Sequence, residues 1–100
     1  MDKYHVRLLG KAFRDLDNIY SYIVSEFKEV TTANTLIDLF EKSILSLSEM
    51  PYRGSVRRTG AYANKGYRQL FVKNFTIVYR IDEDKKQVIV VTVRYSPSNF

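Results

Sequence analysis

The sequence predicts one α+β domain, residues 1–100, ordered β-α-α-β-β-β, with an antiparallel sheet and an N-terminal helical hairpin packed on one face of it. Three observations carry that prediction. Apolar residues recur at helical spacing through the first half of the chain. From Tyr67 onward they alternate at every second residue. The segment between these regimes, "PYRGSVRRTGAYANKG", is rich in glycine and basic residues and poor in aliphatics.

Tyr4–Leu9 alternates loosely and reads as a first strand, punctuated by Gly10. Residues 11–28 form the first helix, with Phe13, Leu16, Tyr20, Ile23 and Phe27 as its apolar stripe. Arg14, Asp15, Asp17, Asn18, Ser21 and Ser25 fill its other side. The second helix runs from Thr32 to Met50 on Ala33, Leu36, Ile37, Phe40, Ile44 and Leu47. Thr31 or Thr32 is placed to cap it, and Pro51 to stop it. The short connection makes the two helices antiparallel. Residues 51–66 read as a loop. Three strands follow, Tyr67–Lys73, Phe75–Asp82 and Gln87–Tyr95, joined by a tight turn at Lys73-Asn74 and a longer polar one at Asp82–Lys86.

Alternation assigns faces. Phe75, Ile77, Tyr79 and Ile81, matched by Ile89, Val91 and Val93, are expected against the helices. The opposite phase holds Arg68, Leu70 and Val72, then Thr76, Val78 and Arg80, then Val90, Thr92 and Arg94. That reading brings three arginines to one exposed surface, a recognition face for phosphate or carboxylate groups. The plainer alternative is arginines scattered over a sheet, their stems covering apolar neighbours.

Charge is asymmetric. The chain carries +5 overall, divided as −2 over residues 1–50 and +7 over residues 51–100. An anionic partner would be steered to the second half. Within it, Arg53, Arg57, Arg58 and Lys65 form a basic cluster interleaved with Tyr52, Tyr62 and Tyr67, a pattern that suits nucleic acid or an acidic protein segment. Cysteine is absent, which excludes disulfides, thiolate metal sites and a cysteine nucleophile. The single histidine, His5, sits on the first strand and reads as a surface residue. Asp82, Glu83 and Asp84 lie in a hairpin turn with Lys85 and Lys86 and read as solvated, so neither a metal nor another cofactor is expected. No apolar run is long enough to span a membrane or act as a secretion signal, and the expected location is the cytoplasm.

The stretch from Gly66 to Phe100 resembles the C-terminal signature of RelE/ParE toxins of bacterial type II toxin–antitoxin systems. The matching residues are Tyr67-Arg68-Gln69-Leu70, then Phe75-Thr76-Ile77-Val78-Tyr79-Arg80-Ile81-Asp82, then the aliphatic run Val88–Val93. Upstream, "RDLDNIYSYIVSEF" resembles the first helix of ParE-type members, and Met50-Pro51 with Gly54 resembles the turn after the second. The resemblance spans nearly the whole chain. It implies a compact toxin domain, a co-expressed antitoxin that neutralises it, a plasmid-stabilisation role and growth inhibition when the toxin is free.

The family divides by mechanism. RelE-like members are ribosome-dependent endoribonucleases that cut mRNA, with basic residues on the exposed sheet face. ParE-like members poison DNA gyrase and are not nucleases. This sequence is sparse where the nucleases are rich: Leu70 and Thr76 stand where basic residues are common, and Tyr95, Ser96 and Ser98 replace a region of His, Lys or Arg. Cleavage needs a base, an acid and cations for the phosphorane. Arg68, Arg80 and Arg94 would supply the cations, but no obvious general base accompanies them, and Tyr95 would serve only with a strongly perturbed phenol. The departures favour the ParE branch, a gyrase inhibitor without enzymatic activity. On that reading Arg57, Arg58, Arg68, Arg80 and Arg94 are partner- or nucleic-acid-binding residues.

Overall fold

The computed structural model describes residues 3–97. Its elements are β1 (His5–Leu8), α1 (Gly10–Phe27), α2 (Val30–Ser46), β2 (Ser55–Val56), β3 (Arg68–Val72), β4 (Phe75–Asp82) and β5 (Gln87–Tyr95). The strands form one sheet in the order β1-β5-β4-β3-β2. The meander β3-β4-β5 is antiparallel, whereas β1 joins β5 in parallel, so the sheet is mixed. The predicted order holds, with one addition: Ser55–Val56 pairs with Gln69 and Arg68 and forms a short edge strand inside the expected loop.

The helices lie on one face. Ala12, Phe40, Ile44 and Leu47 meet Leu70, Val72, Ile77, Tyr79, Val88, Val90 and Val93 in the core. The helix ends differ from expectation. Glu29, not a threonine, is the N-cap of α2. The Thr32 hydroxyl donates to the Glu29 carboxylate at 2.6 Å, and Thr35 donates to the Thr31 carbonyl at 2.9 Å. The helix ends at Ser46, before Pro51, and unwinds through tight turns in which Leu47 N–H donates to Ile44 and Met50 N–H to Ser46.

Two strands face the other way from the predicted phase. Residues directly opposite in adjacent strands share a face. Leu70 pairs with Ile77 and Arg68 with Tyr79, so Arg68, Leu70 and Val72 belong to the helix side. In β5 the register shifts beside Val78 and Tyr79: Val93 pairs with Ile77 and Thr92 with Val78, but Val90 pairs with Tyr79. Val91 is the extra residue of a bulge, which flips the phase between the two halves of the strand. Val88 and Val90, not Ile89 and Val91, therefore enter the core with Val93.

The stripe of α1 is also rotated. Phe13 is 57% exposed while Ala12 is fully buried. Asp15, expected in solvent, turns inward. Its carboxylate accepts from Val93 N–H at 3.1 Å, from the Thr92 hydroxyl and from Lys11 Nζ at 3.2 Å. β1 pairs with β5 only as far as Val90, so no strand covers the β5 edge at Val93. Asp15 satisfies the Val93 N–H there instead.

Candidate functional site

Residues 50–56 are moored at the β3 edge of the sheet by two side chains. The Tyr79 hydroxyl, fully buried, donates to the Pro51 carbonyl at 2.8 Å and accepts from Gly54 N–H at 3.1 Å. A Cβ at Gly54 would lie 2.3 Å from the Gln69 carbonyl oxygen and 2.6 Å from the Tyr79 hydroxyl, so only glycine fits. Arg68 completes the anchorage. Its Nη2 donates to the Tyr52 and Gly54 carbonyls at 3.1 and 2.5 Å, and its guanidinium lies 5.2 Å from the Tyr52 ring centroid.

The sheet does not gather the three arginines. Arg68 is on the helix side, with its Nη2 committed to two backbone carbonyls and its Nε buried. Arg80 and Arg94 lie on the other face, with Arg94 opposite Thr76. Four residues along β4 separate the Thr76 and Arg80 rows, about 13 Å at strand rise. Tyr95 follows Arg94 in a strand and so points back to the helix side. There it pairs with Phe75, their rings 5.6 Å apart. Ser98 lies outside the described residues.

In the basic segment, Arg57 and Arg58 part company. Arg57 is only 7% exposed. Its Nε donates to the Ala61 carbonyl at 2.6 Å and its Nη1 to Gln69 Oε1 at 2.9 Å. Arg58 and Lys65 are exposed.

A polar cluster joins three distant segments at the surface. The Glu83 carboxylate accepts from the Tyr52 hydroxyl, from the Tyr4 hydroxyl at 2.7 Å and from Lys86 Nζ at 3.1 Å. These three donors, Tyr52 first, lower the Glu83 pKa to about 2. The same hydrogen bonds raise both tyrosines and Lys86 above their ordinary values. The turn expected to be merely solvated is thus a clamp on the start of β1 and on the 50–54 segment. His5 is exposed on β1. Among the described residues no three His, Asp or Glu side chains converge as metal ligands. Nor is any described helix long and apolar enough to cross a membrane.

A large concavity lies elsewhere. Where α1 ends and α2 begins, the hairpin overhangs the β3–β4 turn and the end of β5, leaving a groove of about 1010 Å³. Ile19, Tyr22, Ile23, Phe27, Leu36, Phe75 and Tyr95 form its apolar lining, with Glu29 and Lys73 also at the groove. Tyr22 and Phe27 are 60% and 64% exposed, and their rings meet edge to face at 6.3 Å. Contiguous exposed apolar surface of this kind is characteristic of interaction surfaces and ligand-binding grooves. The helical period identifies Ile23 and Phe27 as apolar-face residues, but it cannot tell a core position from a groove wall.

Comparison with known proteins agrees with this architecture. The family model described as the ParE toxin of type II toxin–antitoxin systems, parDE, matches residues 6–99. No curated protein matches by sequence. Among solved structures, the chromosomal ParDE toxin–antitoxin system of P. aeruginosa superposes with a TM-score of 0.75 at 19% identity, covering 93% of this chain and 96% of that one. The RelBE2 toxin–antitoxin complex of Mycobacterium tuberculosis gives a TM-score of 0.64 at 23% identity, covering 95% and 93%. The intact RelBE complex of E. coli gives 0.59 at 14% identity, covering 95% and 99%. These identities carry the fold.

Proposed function

The chain belongs to the ParE toxin family of type II toxin–antitoxin systems, and on that premise we propose that it arrests growth by inhibiting DNA gyrase, is neutralised by a cognate antitoxin and acts in the cytoplasm. The observation that carries the choice of target is the dispersal of the arginines. A nuclease site needs cations and a proton carrier around one phosphate. Here Arg68 and Tyr95 are on one side of the sheet and Arg80 and Arg94 on the other. Glu83, the carboxylate with the most perturbed acidity, is held as an anion by two phenols and a lysine and is a poor base.

The groove lined by Tyr22, Phe27, Phe75 and Tyr95 supports the antitoxin reading. An apolar segment of the antitoxin, unfolded when alone, orders itself by burying these rings. A plasmid-stabilisation role follows if the gene pair is plasmid-borne.

The alternative is a RelE-like ribosome-dependent mRNA endoribonuclease. The exposed Arg80 and the half-buried Arg94, which share a face, favour it. One experiment separates the two. The chain is induced alone, and gyrase-linked double-strand breaks are measured beside transcriptome-wide 5′ ends. Breaks that disappear in a strain with a resistant gyrase support the proposal. Ribosome-dependent cuts in message without such breaks would overturn it.

A further inference from the structure

Between Met50 and Ile81 the sequence holds seven Lys and Arg residues and no Asp or Glu. Several of these cations serve the fold. Arg57 and Arg68 bind backbone carbonyls, and Arg53 Nη1 donates to the Ser46 hydroxyl at 2.7 Å. Arg58 and Lys65 do not. Both are exposed on the loop between β2 and β3, and neither pairs with a carboxylate among the described residues.

That loop is built to hold a shape. β2 and β3 are antiparallel neighbours, a pair that a two-residue turn can join. Residues 57–67 join them instead. Gly60, Tyr62, Asn64 and Gly66 are all left-handed, with φ of 72°, 69°, 57° and 83°. The buried Arg57 braces the interior through Ala61 and Gln69, and Asn64 N–H donates to the Arg57 carbonyl at 3.0 Å. The Tyr62 and Tyr67 rings close the base, 5.0 Å apart. Compact loops of this length, with non-glycine residues held at positive φ, are frequently functional elements.

We propose that the loop of residues 57–67 is a preorganised docking element for the phosphodiester backbone of a nucleic acid, with Arg58 and Lys65 as its phosphate contacts. Residues 51–80 contribute no carboxylate of their own to repel or compete with a polyanion. No large hydrophobic side chain is exposed within the loop, whereas the groove is walled by them. A protein partner needs a buried apolar or aromatic anchor for its binding energy. A phosphate backbone needs only cations and hydrogen-bond donors. No residue of the loop lines the groove, so this surface is separate from the proposed antitoxin seat. The inference does not depend on whether gyrase or message is the toxin's target.

The test is fluorescence anisotropy of the purified full chain with three labelled probes: a short duplex DNA, a single-stranded RNA and an Asp/Glu-rich peptide. Affinity is followed over a salt series. The variant Arg58→Ala/Lys65→Ala is compared with Arg14→Ala/Lys42→Ala, which removes the same charge from the exposed sides of the helices. Both are surface changes, and thermal melts confirm that they fold. Losing two phosphate contacts lowers the slope of log affinity against log salt by about 1.8 for duplex DNA, or about 1.4 for a single strand. We expect that drop with the loop variant on one nucleic-acid probe, and no change with the helix variant. The probe that shows it identifies the source of the phosphates. No nucleic-acid binding at low salt, an equal drop in both variants, or the same loop dependence on the acidic peptide would overturn the proposal.

Discussion

Replacing Tyr79 by phenylalanine deletes a single buried oxygen and tests how the 50–56 segment is held. The hydroxyl donates to the Pro51 carbonyl and accepts from Gly54 N–H, and the side chain is fully buried. Without it a donor and an acceptor are stranded. A stranded buried group costs roughly 1–3 kcal/mol. Arg68 keeps the Gly54 carbonyl engaged, so the segment stays close and water is slow to substitute. We therefore expect a loss of about 2 kcal/mol. For a domain of this size that lowers Tm by about 8–16 °C. Urea unfolding is the assay, with an unchanged m value expected because the surface exposed on unfolding is the same. Gly54→Ala is the companion. Its Cβ collides with both the Gln69 carbonyl and the Tyr79 hydroxyl, so removing that hydroxyl relieves part of the clash. The double variant should lose less than the sum of the two single losses. A Tyr79→Phe loss under about 0.5 kcal/mol, or additivity within about 0.3 kcal/mol, would refute the reasoning.

Tyr22→Ala and Phe27→Ala should each weaken antitoxin binding by about thirtyfold while leaving stability unchanged. The rings are exposed in the free toxin, and truncating an interface anchor costs about 2 kcal/mol. Titration calorimetry against the cognate antitoxin measures this, and an unchanged Kd would remove the groove from the interface. The Glu83 clamp has a definite pH range. Its folded pKa lies below the ordinary carboxylate value, so its contribution is complete above about 4.5 and is lost as pH falls toward about 2. A side-chain NMR titration of Glu83 with a midpoint near the ordinary value of about 4.3 would contradict the clamp. Chelator treatment should change neither the melting curve nor toxicity. A drop in Tm with EDTA would reveal a metal that the described carboxylates give no reason to expect.

Much of this architecture is written in local periodicity. Phe75–Asp82 and Gln87–Tyr95 have the predicted bounds because strand propensity and polar turns act over a few residues. The helical hairpin is legible for the same reason, although its ends and the facing of α1 differ from expectation. One facing error had a signal in the sequence. A two-residue turn at Lys73-Asn74 pairs Val72 with Phe75 directly, which puts Arg68, Leu70 and Val72 on the side of Phe75.

Other features were set only by the assembled sheet. The run Val88–Val91 is apolar on both faces, so no alternation betrays the bulge at Val91 that reverses the phase of the strand. Asp15 looks like any solvent-facing helical carboxylate until β1 ends short and leaves a backbone donor on β5 with no strand to meet it. Arg57 and Arg58 are adjacent and chemically identical in the sequence. Closure of the loop onto Gln69 buries the first as a brace and leaves the second in solvent. In each case the deciding quantity is the partner of a polar group across the fold, and that partner is fixed by packing between segments far apart in the chain.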